Sequence, residues 1–144
     1  MKNSVCWSSP SNIAIIKYWG KKNNQIPLNP SLSFTLSKSK TETRIDWEIL
    51  NPSSRFNIEF TYEGKARPEF EPKIENLLFQ LLAECPWLHS VHLKIDSKNT
   101  FPHSGGIASS ASSMSALALC LVSIENEMNQ QKLSPEEFLL IMKI

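Results

Sequence analysis

Residues 101–116, FPHSGGIASSASSMSA, force the backbone through a tight bend and then straight into a long apolar helix. Gly105 and Gly106 permit backbone conformations closed to other residues, so several N–H groups can turn toward one point. The positive end of the helix dipole faces the same point. Such a point attracts phosphate. The expected ligand is therefore a nucleotide or another phosphorylated compound.

The rest of the composition narrows the partners. A chain of 144 residues is long enough for one domain with a proper core. Its 41% apolar and 20% charged residues are ordinary for a globular protein. A formal net charge of +1 excludes a strong nonspecific pull toward nucleic acid or anionic lipid, so any anion site must be local. Cys6, Cys85 and Cys120 lie far apart with neither metal-ligand spacing nor an even count. They read as reduced thiols of a cytoplasmic protein, with Cys120 in the core. The start, MKNSVCWSSPSN, lacks the apolar middle of a signal peptide. The apolar run 114–124 is too short to cross a bilayer, which takes about 20 residues. Neither a membrane nor a nucleic acid is an expected partner.

Hydrophobic periodicity predicts the elements. Residues 4–9 and 12–17 read as a strand and its continuation, interrupted by Pro10. In residues 31–37, Leu32, Phe34 and Leu36 share one face. Ile45, Trp47 and Ile49 alternate with Arg44, Asp46 and Glu48, and Phe56, Ile58, Phe60 and Tyr62 alternate with polar residues. The intervening NPSS predicts an antiparallel hairpin with one buried face. After the turn EGKARPE, Ile74, Leu77, Leu78, Leu81 and Leu82 follow helical spacing up to Pro86. Val91, Leu93 and Ile95 predict another strand. A helix over about 107–128 and one more from Ser134 complete the order. The expected class is α+β: a mixed, mainly antiparallel sheet with helices packed on one face. The apolar end, LLIMKI, reads as a chain cut within a domain.

Two motifs carry chemistry. The loop is neither a P-loop, since no GK[ST] follows the glycines, nor the three-glycine dinucleotide fingerprint. It reads P-x-x-x-G-[IL]-x-S-S-A at Pro102, Gly106, Ile107, Ser109, Ser110 and Ala111. Ser109 and Ser110 supply hydroxyls able to touch a phosphate oxygen or Mg²⁺. A tight turn whose serines merely cap a helix is the alternative. The second motif is Asn12–Lys22, NIAIIKYWGKK. Lys17 and Lys21 offer two ammonium groups to an anionic ligand, Tyr18 a hydroxyl and Gly20 a backbone turn. A solvated basic turn with an aromatic packed under lysine stems is the alternative there.

Together, SPSNIAIIKYWGKKNNQIPLNPSLSFTLS and FPHSGGIASSASSMSALAL resemble the diphosphomevalonate decarboxylase family. That family lies within the superfamily of galactokinase, homoserine kinase, mevalonate kinase and phosphomevalonate kinase. The loop alone indicates the superfamily. The NIAxxKYWGK element followed by Pro27, Asn29, Ser31, Leu32, Ser33, Thr35 and Leu36 is the more specific part. The resemblance runs along the whole chain but matches only the first part of the family's length. Residues 1–144 are thus expected to be a partial N-terminal ATP- and substrate-binding domain of the superfamily fold, without its C-terminal domain.

The resemblance implies ATP-dependent decarboxylation of mevalonate 5-diphosphate to isopentenyl diphosphate, with ATP as cosubstrate, Mg²⁺ as cofactor and a homodimer as one full-length arrangement. Lys17, Tyr18, Trp19, Gly20 and Lys21 match the substrate-binding element, and Lys65 falls near a basic substrate contact. Ser104, Gly105, Gly106, Ile107, Ala108, Ser109 and Ser110 match the ATP phosphate loop. The family's catalytic aspartate and SGSACR element find no counterpart. Asp46 and Asp96 read as a solvated charge and a turn carboxylate at a strand end. His89 and His92 are scattered, and for His103 both a phosphate contact and a surface role stay open. The isolated chain is expected to be inactive. A superfamily enzyme acting on mevalonate or its monophosphate, and a noncatalytic phosphate-binding remnant, are the alternatives.

Overall fold

Alternation puts Val91, Leu93 and Ile95 on one face of a central strand, and each is 1% exposed. A computed structural model describes residues 3–17, 19–22, 26–102 and 107–129. Its strands are β1 (Asn3–Ile16), β2 (Leu32–Ile49), β3 (Asn57–Tyr62), β4 (Lys65–Ala66) and β5 (Val91–Asn99). They form one sheet in the order β1-β2-β5-β3-β4. All neighbours are antiparallel except β3 and β5.

Among the described residues, two α-helices cover one face. They are α1 (Glu71–Gln80) and α2 (Ser109–Met128). Ile74 and Leu78 of α1 join Leu117, Cys120, Leu121 and Ile124 of α2 over Val5, Ile45, Trp47, Leu93 and Ile95 in one core cluster. Burying each large aliphatic side chain contributes about 1.5–3 kcal/mol. The opposite face carries the charges. There Arg44 meets Asp46 at 3.0 Å, Lys98 meets Glu42 at 2.7 Å, and His92 lies between Glu48 and Glu59 at 3.4 and 3.3 Å. This is the α+β arrangement that the periodicity predicts.

Four expectations change. Residues 41–49 and 56–62 do not pair as a hairpin, because β5 lies between them. Alternation fixes which face of a strand is buried, but not which strand lies beside it. The NPSS segment is not a tight turn either. Leu50 N donates to Ser90 O at 2.8 Å and Ser53 N to His89 O at 2.9 Å, so the connection passes over the start of β5. The α1 crossover then lets β5 enter parallel to β3. Residues 31–37 and 41–49 merge into the single strand β2. Asp96 does not end its strand, which continues to Asn99. The helix expected from Ser134 lies outside the described residues.

β2 extends past the sheet. Its partner β5 stops at Thr41, whereas β1 stays paired with β2 to Leu32. The result is a two-stranded arm. A register shift between Ala14 and Ile16 sets Ile16 opposite Leu32, while Ile13 faces Phe34.

Candidate functional site

The start of α2 opens into a cleft of about 250 Å³ between the helices and the sheet. Ser109, Ser110 and Ser113 form one wall. Phe60 and Tyr62 of β3, Phe70, Ile95 and Met114 form the apolar walls. Phe60 and Phe70 meet tilted at 59°, with ring centroids 5.8 Å apart. Among the described lining residues Lys73 carries the charge, its ammonium 5.8 Å from the Phe70 ring centroid, and no carboxylate lines the cleft. A positive helix end, hydroxyls and one lysine suit an anion, and the rings suit a flat aromatic group. The volume lies a little below the roughly 300 Å³ at which small-molecule pockets begin. It can enclose one ring system, with anything longer emerging at Ser109 and Ser110.

The chain leading into α2 is fastened at Thr100 and again at Ile107. Thr100 N donates to Lys40 O, Lys40 N donates to Thr100 Oγ1, and Thr100 Oγ1 donates to Lys38 O, all at 2.9 Å. Past the bend, Ser11 Oγ of β1 donates to Ile107 O. One turn into the helix, the Ser112 and Thr41 hydroxyls meet at 2.6 Å in the interior. Ala108 stands at φ 32° and ψ 43°, in the left-handed region, and its carbonyl accepts from Ala111 N at 3.1 Å and Ser112 N at 3.3 Å. This non-glycine residue therefore makes the final turn that starts the helix.

The second motif lies at the tip of the arm. Leu28 N donates to Gly20 O at 3.0 Å and Lys22 N to Ile26 O at 2.8 Å, closing a small hairpin. A Cβ on Gly20 would come within 2.7 Å of Leu28 Cδ1, so the Leu28 side chain lies over Gly20. The Asn29 side chain accepts from Trp19 N at 3.0 Å and donates to Lys17 O at 3.2 Å and Pro30 O at 2.8 Å. Trp19 is 88% exposed.

A sequence profile described as the diphosphomevalonate decarboxylase-like N-terminal domain matches residues 9–137. The chain belongs to the diphosphomevalonate decarboxylase family. A diphosphomevalonate decarboxylase of Gibberella zeae is 37% identical over 123 residues, covering 76% of this chain and 32% of the relative. The mevalonate diphosphate decarboxylase of Legionella pneumophila superposes with a TM-score of 0.69 at 33% identity, over 94% of this chain and 44% of that one. The mevalonate diphosphate decarboxylase of Enterococcus faecalis, described with mevalonate diphosphate-mediated ATP binding, superposes with a TM-score of 0.66 at 31% identity, over 84% and 37%. Another solved chain, 31% identical with a TM-score of 0.65 over 84% and 36%, is in complex with MVAPP, AMPPCP and magnesium. The chain thus spans about a third of the length of the curated relative.

Within this family frame, the structure brings some of the expected residues together and separates others. Ser109 and Ser110 line the cleft, with Ile107 and Ala108 just before them. Lys17, Trp19, Gly20 and Lys21 gather on the arm and do not line the cleft among the described residues. The link between the two groups is β1, whose Ser11 touches the loop six residues before Lys17. Lys65 is on β4, at the opposite edge of the sheet from β1, roughly 19 Å away at about 4.8 Å per strand. It pairs with Tyr62, a cleft residue. Tyr18, His103, Ser104, Gly105 and Gly106 lie outside the described residues.

Sequence reading missed the cleft's aromatic wall. Phe60 and Tyr62 read as buried-face residues, and nothing in their alternation marks an open cleft. It also missed Ser11, Thr41 and Asn29 as anchors, although Asn29 stood in the more specific motif. Asp46 and Asp96 both point away from the cleft. Asp96 accepts from Thr61 Oγ1, and Asp46 pairs with Arg44 on the outer face. Among the described residues no group of three His, Cys, Asp or Glu is placed to hold a metal, and no helix is long and apolar enough to cross a membrane. Among the described cleft residues the oxygen donors are neutral: the hydroxyls of Ser109, Ser110 and Ser113, with Thr43, Tyr62, Ser97 and the Asn99 side chain. That suits an ion bound mainly through ligand phosphates.

Proposed function

We propose that residues 1–144 form the nucleotide- and substrate-binding portion of an ATP-dependent decarboxylase of mevalonate 5-diphosphate. One observation carries the reading: the hydroxyl-bearing start of α2 opens into an aromatic cleft free of carboxylates among the described residues. The adenine ring stacks among Phe60, Tyr62 and Phe70, and the phosphates run out toward the α2 N-terminus. Ser109 and Ser110 would hold Mg²⁺ through their hydroxyls, and the bound ion would supply charge neutralisation for phosphoryl transfer. Lys17 and Lys21 take the substrate diphosphate as point charges. Lys65, beside Tyr62, fits the nucleotide side better than the diphosphate side.

In this reaction the γ-phosphoryl group moves to the tertiary 3-hydroxyl, which turns a poor leaving group into a good one. Phosphate departs, the bond to the carboxylate breaks, and its electron pair forms the alkene as CO₂ leaves. What this chain's residues contribute is position and fixed charge. The two aspartates of the chain face away from the cleft, so the base for the 3-hydroxyl proton is not supplied by either.

Calorimetric titration of the purified chain with mevalonate, its 5-phosphate and its 5-diphosphate tests the substrate. A preference for the diphosphate of at least about tenfold is expected from its additional charge-assisted contacts. Binding only of the less phosphorylated compounds overturns the reading in favour of a related kinase. The same preparation with ATP, Mg²⁺ and mevalonate 5-diphosphate is expected to release no CO₂. Detectable release contradicts the exclusion of both aspartates.

A further inference from the structure

We propose that Asn29 is a positioning residue that sets where the lysines of the arm stand, and so governs binding of the substrate diphosphate without touching it. The inference rests on the function proposed above. Asn29 is half-buried in an otherwise exposed stretch, and its side chain spans the base of the small hairpin that carries Lys17 and Lys21. Its Oδ1 accepts from Trp19 N at 3.0 Å. Its Nδ2 donates to Lys17 O at 3.2 Å and to Pro30 O at 2.8 Å. The side chain therefore grips the backbone on both sides of residue 18 and ties it to the strand that returns along the arm.

The chemistry of the contact singles out this residue type. One acceptor and two donors are in use at once, on a side chain short enough to reach its own neighbour Pro30. An aspartate keeps the acceptor for Trp19 N–H but turns a carboxylate oxygen toward two carbonyls. A glutamine carries the amide but sits one methylene farther out. Below the clamp, the Gly20–Leu28 and Lys22–Ile26 bonds keep the hairpin closed but do not fix its angle to β1. Losing the clamp spreads the lysine stems over many orientations. If a tenth of these are competent, affinity falls about tenfold.

The nucleotide cleft shares no residue with this hairpin among the described residues, so its affinity is the internal control. Asn29→Ala, Asn29→Asp and Lys21→Ala are compared with the wild-type chain by titration with mevalonate 5-diphosphate and with a non-hydrolysable ATP analogue. Hydrogen exchange at the Trp19 amide is followed in parallel. Both Asn29 variants are expected to lose about tenfold or more in diphosphate affinity, to keep analogue affinity within about twofold, and to exchange Trp19 N–H faster. Lys21→Ala is expected to lose diphosphate affinity with Trp19 exchange unchanged. Unchanged diphosphate affinity in Asn29→Ala overturns the proposal alone. Equal loss of both ligands also overturns it, because the residue then supports the fold generally. A wild-type chain that binds the analogue but not mevalonate 5-diphosphate overturns the assignment of the arm and the proposal with it.

Discussion

Among the described residues, Ala108 and Glu63 are the non-glycine residues with positive φ, and Ala108 is the one at the start of a helix. It adopts a left-handed conformation that disfavours any side chain by about 1–2 kcal/mol, and it does so where the helix must begin. Ala108→Gly removes that strain but gives the unfolded chain more freedom, so its net effect is expected within about 1 kcal/mol. Ala108→Val adds a branched Cβ to the same conformation and is expected to destabilise by about 1–3 kcal/mol in urea unfolding. An unchanged midpoint for the valine variant would show that the bend does not need this geometry. Cys120 makes a second prediction at this scale. Burial pushes its thiol up to about 12, and its Sγ donates to Thr43 O at 3.3 Å. The native state keeps a proton that the unfolded chain releases above its ordinary thiol value of about 9. This contribution to stability is therefore full below pH 9 and lost as pH rises toward 12. Thiol labelling at pH 8 is expected to modify exposed Cys6 and spare Cys120; equal labelling of both would contradict the burial.

At the scale of elements, α2 and the β1–β2 pair act as one unit. Trp7 Nε1 donates to Ser123 Oγ at 2.7 Å, the Thr41 and Ser112 hydroxyls meet at 2.6 Å, and Ser11 reaches the loop. Ser112→Ala and Thr41→Val are each expected to destabilise by about 1–2 kcal/mol, and the double variant by less than the sum. Strict additivity would show that the two hydroxyls are not coupled. Elements of this kind were legible in the sequence wherever one residue's neighbours decide the outcome. The alternation of Ile45 and Trp47, and of Leu93 and Ile95, disclosed strands and their buried faces, and the apolar run after the loop disclosed the helix α2. Sheet order was not legible, because the partner of β3 is chosen by α1 and β5 far along the chain. The clamp of Asn29 and the anchor of Ser11 were hidden for the same reason. A small polar residue in a strand or turn looks alike whether it bonds to water or to a loop 96 residues away.

On the scale of the whole molecule, the proposed function divides between two regions. The cleft faces the helices at the sheet's middle, and the arm carries the lysines past the sheet's end. Ile15, Ile16, Trp19, Ile26, Leu28, Leu32 and Phe34 on this arm are each more than half exposed. The central claim is that the start of α2 and the aromatic wall of the cleft together receive a nucleotide. Chemical-shift mapping of backbone amides, with a non-hydrolysable ATP analogue and Mg²⁺ added to the purified chain, tests it most directly. The account predicts that the perturbed amides cluster at Phe60, Tyr62, Ser109, Ser110 and Met114. Perturbations confined to the charged outer face around His92 and Glu59, or none at saturating analogue, would contradict it.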